Sequence, residues 1–146
     1  MNDKFSVEKR RQIMQSIRSK DTKIEIAVRK KFYNSGLRYR KNCRDILGTP
    51  DISIKKYKVA VFINGCFWHG HKGCKRAVIP KTRTEYWRQK IDDNRKRDEK
   101  VKQSLAEDGW NVYTLWECDL LNNFDEHVDN IIADVKMVIQ KQKTLI

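Results

Sequence analysis

Three residues of the types that bind transition metals lie close together in the sequence: Cys66, His71 and Cys74. A fourth, Cys118, follows a strand-like segment that could return the chain to the same place. A Cys3His set with no open position is typical of a structural zinc site. The alternative is that these cysteines are buried thiols that bind nothing. Cys43 lies apart from the group, and we interpret it as a plain thiol.

Two carboxylates could hold a divalent cation against a phosphodiester. Asp51 follows Pro50 at the start of a predicted strand, and Glu25 lies on a predicted helix. Nucleases that use Mg²⁺ need a carboxylate on such a rigid strand. The arrangement resembles the PD-(D/E)xK nuclease core, but the next strand ends Phe62-Ile63-Asn64 and lacks the acidic-x-Lys pair. Glu25 could equally be the third position of a capping box, and Asp51 a turn residue.

His69 is a candidate general base. On the long helix predicted after it, Trp87, Ile91, Asn94 and Asp98 recur at the spacing of one helical face. An aspartate on an inward face needs a partner, and a carboxylate that orients an imidazole makes it a better base. The pairing of His69 with Asp98 is a hypothesis at this stage.

Two aromatic residues, Phe67 and Trp68, stand in the glycine-rich loop between Cys66 and His69. They could fill the core of the domain. They could instead form an exposed wedge, because apolar side chains inserted between base steps unstack and kink DNA. The sequence leaves both interpretations open.

The chain has 146 residues, with 32 Lys and Arg against 19 Asp and Glu, and a formal net charge of +13. Such an excess in a single small domain favours a nucleic-acid partner, because neutralised phosphates release condensed counterions. The N-terminus shows no secretory signal, and no apolar run approaches the roughly 20 residues that span a bilayer. We therefore expect an intracellular protein with reduced cysteines and no membrane contact.

The elements that must position these residues follow from periodicity and turn signals. Capping boxes at 22–25 and 82–85 predict two helices, which Gly36 and Gly109 end. Further helices are predicted over 7–20 and from Asn123 to about Lys143, and strands over 37–41, 51–54, 59–63 and 110–116. The middle two strands should form an antiparallel hairpin. We expect an α/β fold with a single mixed sheet flanked by helices, a basic N-terminal segment (1–20) and a catalytic domain (21–146).

Several strings of the sequence together resemble the very short patch repair (Vsr) endonuclease family, from about Arg10 to Leu120. They are Phe62-Ile63-Asn64-Gly65-Cys66-Phe67-Trp68-His69-Gly70-His71, Thr82-Arg83-Thr84-Glu85-Tyr86-Trp87 and Trp116-Glu117-Cys118, with Thr22-x-x-Glu25, Gly48-x-Pro50-Asp51, Asn94 and Asp98. The resemblance implies a PD-(D/E)xK-like restriction-endonuclease fold that has lost its acidic-x-Lys pair.

The resemblance also implies a catalytic centre. Asp51 and the backbone carbonyl of Ile63 would bind Mg²⁺, with support from Glu25. His69, oriented by Asp98, would activate the attacking water. Asn94 would help to order the site, and the structural zinc ligands would be Cys66, His71, Cys74 and Cys118.

The implied substrate is double-stranded DNA with a T:G mismatch, cut in one strand on the 5′ side of the mispaired T. Such mismatches arise when 5-methylcytosine deaminates, so a cytosine-5 DNA methyltransferase is the expected functional companion in the bacterial cytoplasm. Phe67, Trp68 and Trp87 match the family's aromatic wedge, and Met14 matches a residue that reaches the DNA from the other groove. A single asymmetric lesion needs no two-fold dimer, so we expect a monomer.

Asn64 is the departure that matters, because the best-known family pattern has His there. An amide can donate a hydrogen bond to a phosphate but cannot donate a proton near neutral pH. Since Asp51, His69 and Asp98 are retained, we expect hydrolysis to survive. Two alternatives remain: a nuclease of this fold with altered specificity, and a zinc-stabilised DNA-binding module without catalysis.

Overall fold

The structure is a computed structural model that describes residues 22–145. The helix predicted over 7–20, Met14 and the proposed segment boundary at 20/21 lie outside the described residues. Within this range no helix is both long and apolar enough to cross a membrane.

A four-stranded mixed sheet forms the centre of the described chain. Its strands stand in sequence order; β1, β2 and β3 are antiparallel, while β3 and β4 are parallel. The elements in chain order are α1 (Lys23–Asn34), β1 (Arg40–Lys41), β2 (Ile52–Ile54), β3 (Val59–Asn64), α2 (Thr84–Glu107), β4 (Asn111–Trp116) and α3 (Glu117–Thr144). Short 3-10 turns occupy Lys55–Tyr57 and Lys75–Ala77. The predicted mixed sheet and its central hairpin are confirmed.

Helices cover both faces of this sheet. Val59 and Val61 of β3 pack in one cluster with Phe32 of α1 and Val135 of α3. Ala60 points to the other face, because side chains alternate along a strand, and packs with Leu105 of α2. This two-sided burial explains why the sequence of β3 is apolar throughout.

Thr22 caps the start of α1 as predicted, but the Glu25 carboxylate contacts the Thr22 hydroxyl and not the backbone N–H that a full capping box uses. The hydroxyl of Thr22 accepts a hydrogen bond from the Glu25 backbone N–H (3.3 Å) and lies 3.1 Å from the Glu25 carboxylate. Gly36 follows the end of α1 with φ +95°. Glu25 is therefore fixed at the first turn of a well-capped helix.

The capping box predicted at 82–85 is wrong. Helix α2 begins at Thr84, and the preceding residue, Arg83, is left-handed (φ 55°) and contributes no side-chain cap. The Thr84 hydroxyl instead donates to the backbone carbonyls of Pro80 and Lys81. The incoming loop turns back on itself here, so that Thr82 lies one residue outside the cap position.

Two other predicted boundaries move. Helix α3 begins at Glu117, directly after β4, and Asn123 interrupts it with φ −153° and ψ 63°. The predicted start at Asn123 is thus a kink, and Cys118 lies in the first turn of a helix. The strand predicted over 37–41 shortens to Arg40–Lys41, the residues that pair with β2.

Gly48 should be needed for the fold in a way that Gly36 is not. A Cβ at Gly48 (φ +79°) would lie 2.5 Å from Val101 Cγ1, whereas nothing lies within 4 Å of one at Gly36. We expect Gly48→Ala to lower the free energy of unfolding by about 3 kcal/mol, from overpacking and left-handed strain, and Gly36→Ala by about 1 kcal/mol, from strain alone. Urea denaturation measures both values. Equal losses would contradict the packing at Gly48.

Candidate active site

Asp51 is held at the edge of the sheet by a backbone hydrogen bond. Its Oδ2 accepts from the N–H of Ile63, with an N–O distance of 2.6 Å. Burial raises the pKa of Asp51 to about 6, although this hydrogen bond opposes the change. The neighbouring carboxylate of Glu25 raises the pKa further, while Arg29 and His69 lower it. The ionised Asp51 is therefore destabilised unless a cation joins it.

Glu25, in the first turn of α1, lies near Asp51 and lines the same cleft. Its side chain is only 12% exposed, and its Oε1 lies 3.9 Å from Arg29 Nη1. Glu25, Asp51 and Ile63 all line one cleft. Two close, largely buried carboxylates of this kind fit a hard divalent cation, which prefers oxygen ligands.

His69 and Asp98 form a close pair in the same cleft. His69 lies in the loop that follows β3, Asp98 lies on α2, and Nδ1 is 2.5 Å from Oδ2. Both side chains keep between a quarter and a third of their surface exposed. Because Nδ1 faces the carboxylate, Nε2 is the ring nitrogen left for another partner.

Asn94 anchors the loop that carries His69. Its side chain is buried, and Nδ2 donates to the backbone carbonyl of Trp68 at 2.9 Å. Its Oδ1 accepts from Arg97 Nη2 at 2.7 Å. Asn94 thus joins the Trp68 backbone, next to His69, to the Arg97 guanidinium.

The cleft that contains these groups has a volume of about 610 Å³. Besides the residues already described, Asn64, Arg97, Arg44 and Lys102 line it. Asn64 is only 4% exposed, and its side-chain amide has no hydrogen-bond partner within residues 22–145. This amide at the cleft wall is a candidate donor to a ligand oxygen.

The four predicted metal ligands meet in a second cluster beside the cleft: the ligand atoms of Cys66, His71, Cys74 and Cys118 lie within 4.8 Å of one another. His71 Nδ1 is 3.6 Å from Cys66 Sγ and 3.4 Å from Cys118 Sγ. Burial raises the pKa of Cys66 to about 12, so a metal would have to offset the burial of its thiolate. The cluster could therefore hold a metal ion.

Parallel pairing of β3 with β4 brings this cluster together. Asn64, the last residue of β3, is opposite Trp116, the last residue of β4. Cys66 and Cys118 each follow two residues later, and the Cys118 backbone N–H donates to Cys66 Sγ at 3.3 Å. The Trp116 ring stacks on His71, with centroids 4.0 Å apart and planes 5° apart.

The aromatic residues of the loop pack against α2. The rings of Phe67, Trp68 and Trp87 contact one another edge to face, with centroids 5.5 to 5.9 Å apart. Trp68 and Trp87 are 4% and 5% exposed, whereas Phe67 is half-buried. In this DNA-free structure the two tryptophans agree with the core interpretation, and insertion of the three rings into DNA stays a prediction.

Three residues near the site were missed in the sequence. Trp116 stacks on His71, Arg97 donates to Asn94, and Tyr86, which is 39% exposed, packs edge to face on Trp87. Arg97 had a signal, because it lies three residues after Asn94 on the face that leads to Asp98. The contacts of Trp116 depend on strand pairing and had no local signal.

Comparison with known proteins identifies close relatives. The family model described as DNA mismatch endonuclease Vsr matches residues 2–76. The type II nicking enzyme V.XorIIP of Xanthomonas oryzae is 42% identical over 134 residues, which cover 90% of this chain and 98% of that protein. The type II nicking enzyme V.NmeAIP of Neisseria meningitidis is 43% identical over 138 residues, 93% of this chain and 98% of its own. DNA mismatch endonuclease Vsr of Escherichia coli is 38% identical over 107 residues, 73% of this chain and 68% of its own.

The raised pKa of Asp51 predicts a pH-dependent gain in stability from Asp51→Asn. Above the folded pKa of about 6 the parent carries the full free-energy penalty of a buried charge. This penalty shrinks as the pH falls toward the ordinary pKa of 3.8, and below it the carboxyl is mainly neutral both folded and unfolded. We expect Asp51→Asn to raise the free energy of unfolding by about 2 to 3 kcal/mol at pH 8, and by less than about 0.5 kcal/mol near pH 3.5.

Urea denaturation at the two pH values, without added Mg²⁺, measures this gain. Asp93→Asn on the exposed face of α2 is the control, and should change stability by less than about 0.5 kcal/mol at either pH. A gain from Asp51→Asn that is independent of pH would show that burial does not penalise the Asp51 carboxylate.

Proposed function

This chain belongs to the family of Vsr DNA mismatch endonucleases, and we propose that it nicks one DNA strand on the 5′ side of the mispaired T at T:G mismatches. It is an endonuclease, a hydrolase of phosphodiester bonds. The observation that carries the proposal is the His69–Asp98 pair, which opens onto the same cleft as Asp51. His69, as a general base, and Asp51, as a ligand for a cation, would thus face a cleft large enough for a phosphodiester.

In this proposal His69 accepts the proton of the attacking water. The Asp98 carboxylate favours the tautomer that carries a proton on Nδ1, so that the Nε2 lone pair points away and is free to act as a base. The water oxygen forms a bond to phosphorus as one P–O ester bond breaks, and the water proton moves to Nε2. Asp98 then stabilises the imidazolium that results.

We propose Asp51, the carbonyl of Ile63 and Glu25 as the site of a catalytic Mg²⁺. The support is the donor chemistry: Asp51 and Glu25 are close, largely buried carboxylates, and their repulsion contributes to the raised pKa of Asp51. A bound Mg²⁺ would supply positive charge to the phosphate oxygens. The residues would hold the ion at the end of a rigid hairpin.

Asn64 would contribute a hydrogen bond to a phosphate oxygen. Its buried amide lines the cleft and has no partner within the described range, so a substrate oxygen would satisfy it. An amide has no proton to give near neutral pH, and the leaving oxygen would take its proton from solvent.

For the second cluster we propose a structural Zn²⁺ bound by Cys66, His71, Cys74 and Cys118. Three thiols and an imidazole Nδ1 within 4.8 Å are a donor set that zinc prefers, and the four donors leave no open position for catalysis. The ion would hold the loop after β3 to the start of α3, and so help to position His69.

The net charge of the chain and its relatives support double-stranded DNA with a mismatch as the substrate. A net charge of +13 suits duplex DNA, and the Escherichia coli relative is named as a mismatch endonuclease. Deamination of 5-methylcytosine would create the T:G pair, so a cytosine-5 DNA methyltransferase would be the functional companion. A monomer would suffice for one asymmetric lesion. Phe67 is the wedge residue with surface available to the DNA.

Strand-specific cleavage of an end-labelled duplex tests the proposal. With Mg²⁺ present, we expect a nick only on the 5′ side of the mispaired T in a T:G duplex, and none in the matched T:A duplex. Asp51→Ala should reduce nicking to background, and His69→Ala should slow it by about 10²- to 10⁴-fold, the usual contribution of a general base. Nicking by the parent that Asp51→Ala leaves unchanged would refute the assigned site.

A second candidate differs only in specificity. The relatives from Xanthomonas oryzae and Neisseria meningitidis are named as type II nicking enzymes, which favours a target set by surrounding sequence as well as by the mismatch. A panel of T:G duplexes with varied flanking bases separates the two. Equal nicking rates on all of these duplexes would indicate that the enzyme recognises the mismatch alone. Nicking of only one flanking sequence would indicate a sequence-specific nicking enzyme.

A further inference from the structure

Arg97 is a cation that lines the catalytic cleft and has no carboxylate partner among residues 22–145. Its side chain is exposed and lines the cleft, and within residues 22–145 no carboxylate oxygen lies within 4 Å of its guanidinium. Two other cations of α2 do form such pairs: Arg88 with Glu85 and Lys96 with Asp92. Arg97 donates instead to a neutral acceptor, Asn94 Oδ1, at 2.7 Å.

Asn94 fixes the direction of this guanidinium. The amide is buried, and its other end donates to the backbone carbonyl of Trp68 at 2.9 Å, so it cannot rotate without losing a buried hydrogen bond. Anchoring Nη2 leaves the other N–H groups of Arg97 free. A flexible side chain that is held in this way is ready to bind a planar or tetrahedral anion through several donors.

The same anchor also holds the general base. His69 follows Trp68 in the chain, and its partner Asp98 follows Arg97 on α2. Asn94 thus joins the segment that carries the base to the residue that carries the cation. An anion bound by Arg97 would lie in the same cleft as the His69 ring, at a position set by one buried amide.

We propose that Arg97 binds a non-bridging phosphate oxygen of the strand that is cut, and stabilises the negative charge that builds up at phosphorus. This inference rests on the proposed function. The ligand class is a phosphodiester, because the cleft carries two further cations, Arg44 and Lys102, with no carboxylate within 4 Å in the described chain. Three cations that line the same cleft as the proposed catalytic carboxylates suit a polyanionic substrate.

Single-turnover nicking of the T:G duplex tests the assignment. Arg97→Met should slow nicking by about 10²-fold, as expected for loss of one donor to a developing oxyanion, and Arg97→Lys should restore part of that loss. Lys100→Met is the matched control: Lys100 is exposed on α2 but does not line the cleft, and its loss should change the rate by less than about threefold. Thermal melting checks that each variant is folded.

A methylphosphonate scan identifies the contact. Each phosphate near the nick is replaced in turn by an uncharged methylphosphonate, and both the rate and the dissociation constant are measured. At one position the substitution should harm the parent but cause no further loss in Arg97→Met, because the contact is already absent. If the variant loses as much as the parent at every position, or if Arg97→Met nicks within threefold of the parent, the assignment is wrong. Nicking by the parent reports separately on the proposed function.

Discussion

Parallel pairing of β3 with β4 is the constraint on which the site depends. Since both strands run the same way, their carboxyl ends finish at one edge of the sheet, with Asn64 opposite Trp116. The residues that follow each strand must then meet, and Cys66 and Cys118 do so: the Cys118 backbone N–H donates to Cys66 Sγ. The metal-ligand cluster is thus a direct consequence of strand direction, and helix α2 is the crossover that makes this direction possible.

The loop after β3 has two attachments, and His69, the proposed general base, lies between them. At one side Cys66 and His71 face Cys118, with Trp116 stacked on the imidazole. At the other side Asn94 holds the Trp68 carbonyl. A segment that is fixed on both sides can present an imidazole in one orientation without regular secondary structure, which is what an acid–base site requires. Electrostatics then complete the site, because burial and repulsion between carboxylates favour a cation.

Local patterns predicted the mixed sheet and, with shifted ends, the helices within residues 22–145. They left the His69–Asp98 pair and the metal ligands as open alternatives, and the family resemblance supplied the residue set. The apolar run of β3 indicates a strand covered on both faces, and the loop ligands lie close together in the chain. Long-range packing decided the rest. Left-handed Arg83 displaces the cap of α2, and Trp116 contacts His71 only through strand pairing. Burial of Trp68 depends on where α2 crosses the loop, which periodicity alone does not give.

We propose that a metal bound by Cys66, His71, Cys74 and Cys118 positions His69 in the cleft. Hydrogen exchange over residues 64–74, measured with nicking in the metal-loaded parent and in Cys118→Ala, tests it most directly. We expect Cys118→Ala to lose one zinc per chain and to exchange faster over 64–74, while β2 and residues 59–63 of β3 stay protected. It should nick at least about 10²-fold more slowly, as after loss of general-base catalysis. A variant that lacks zinc but keeps slow exchange and full nicking would show that metal binding does not position His69.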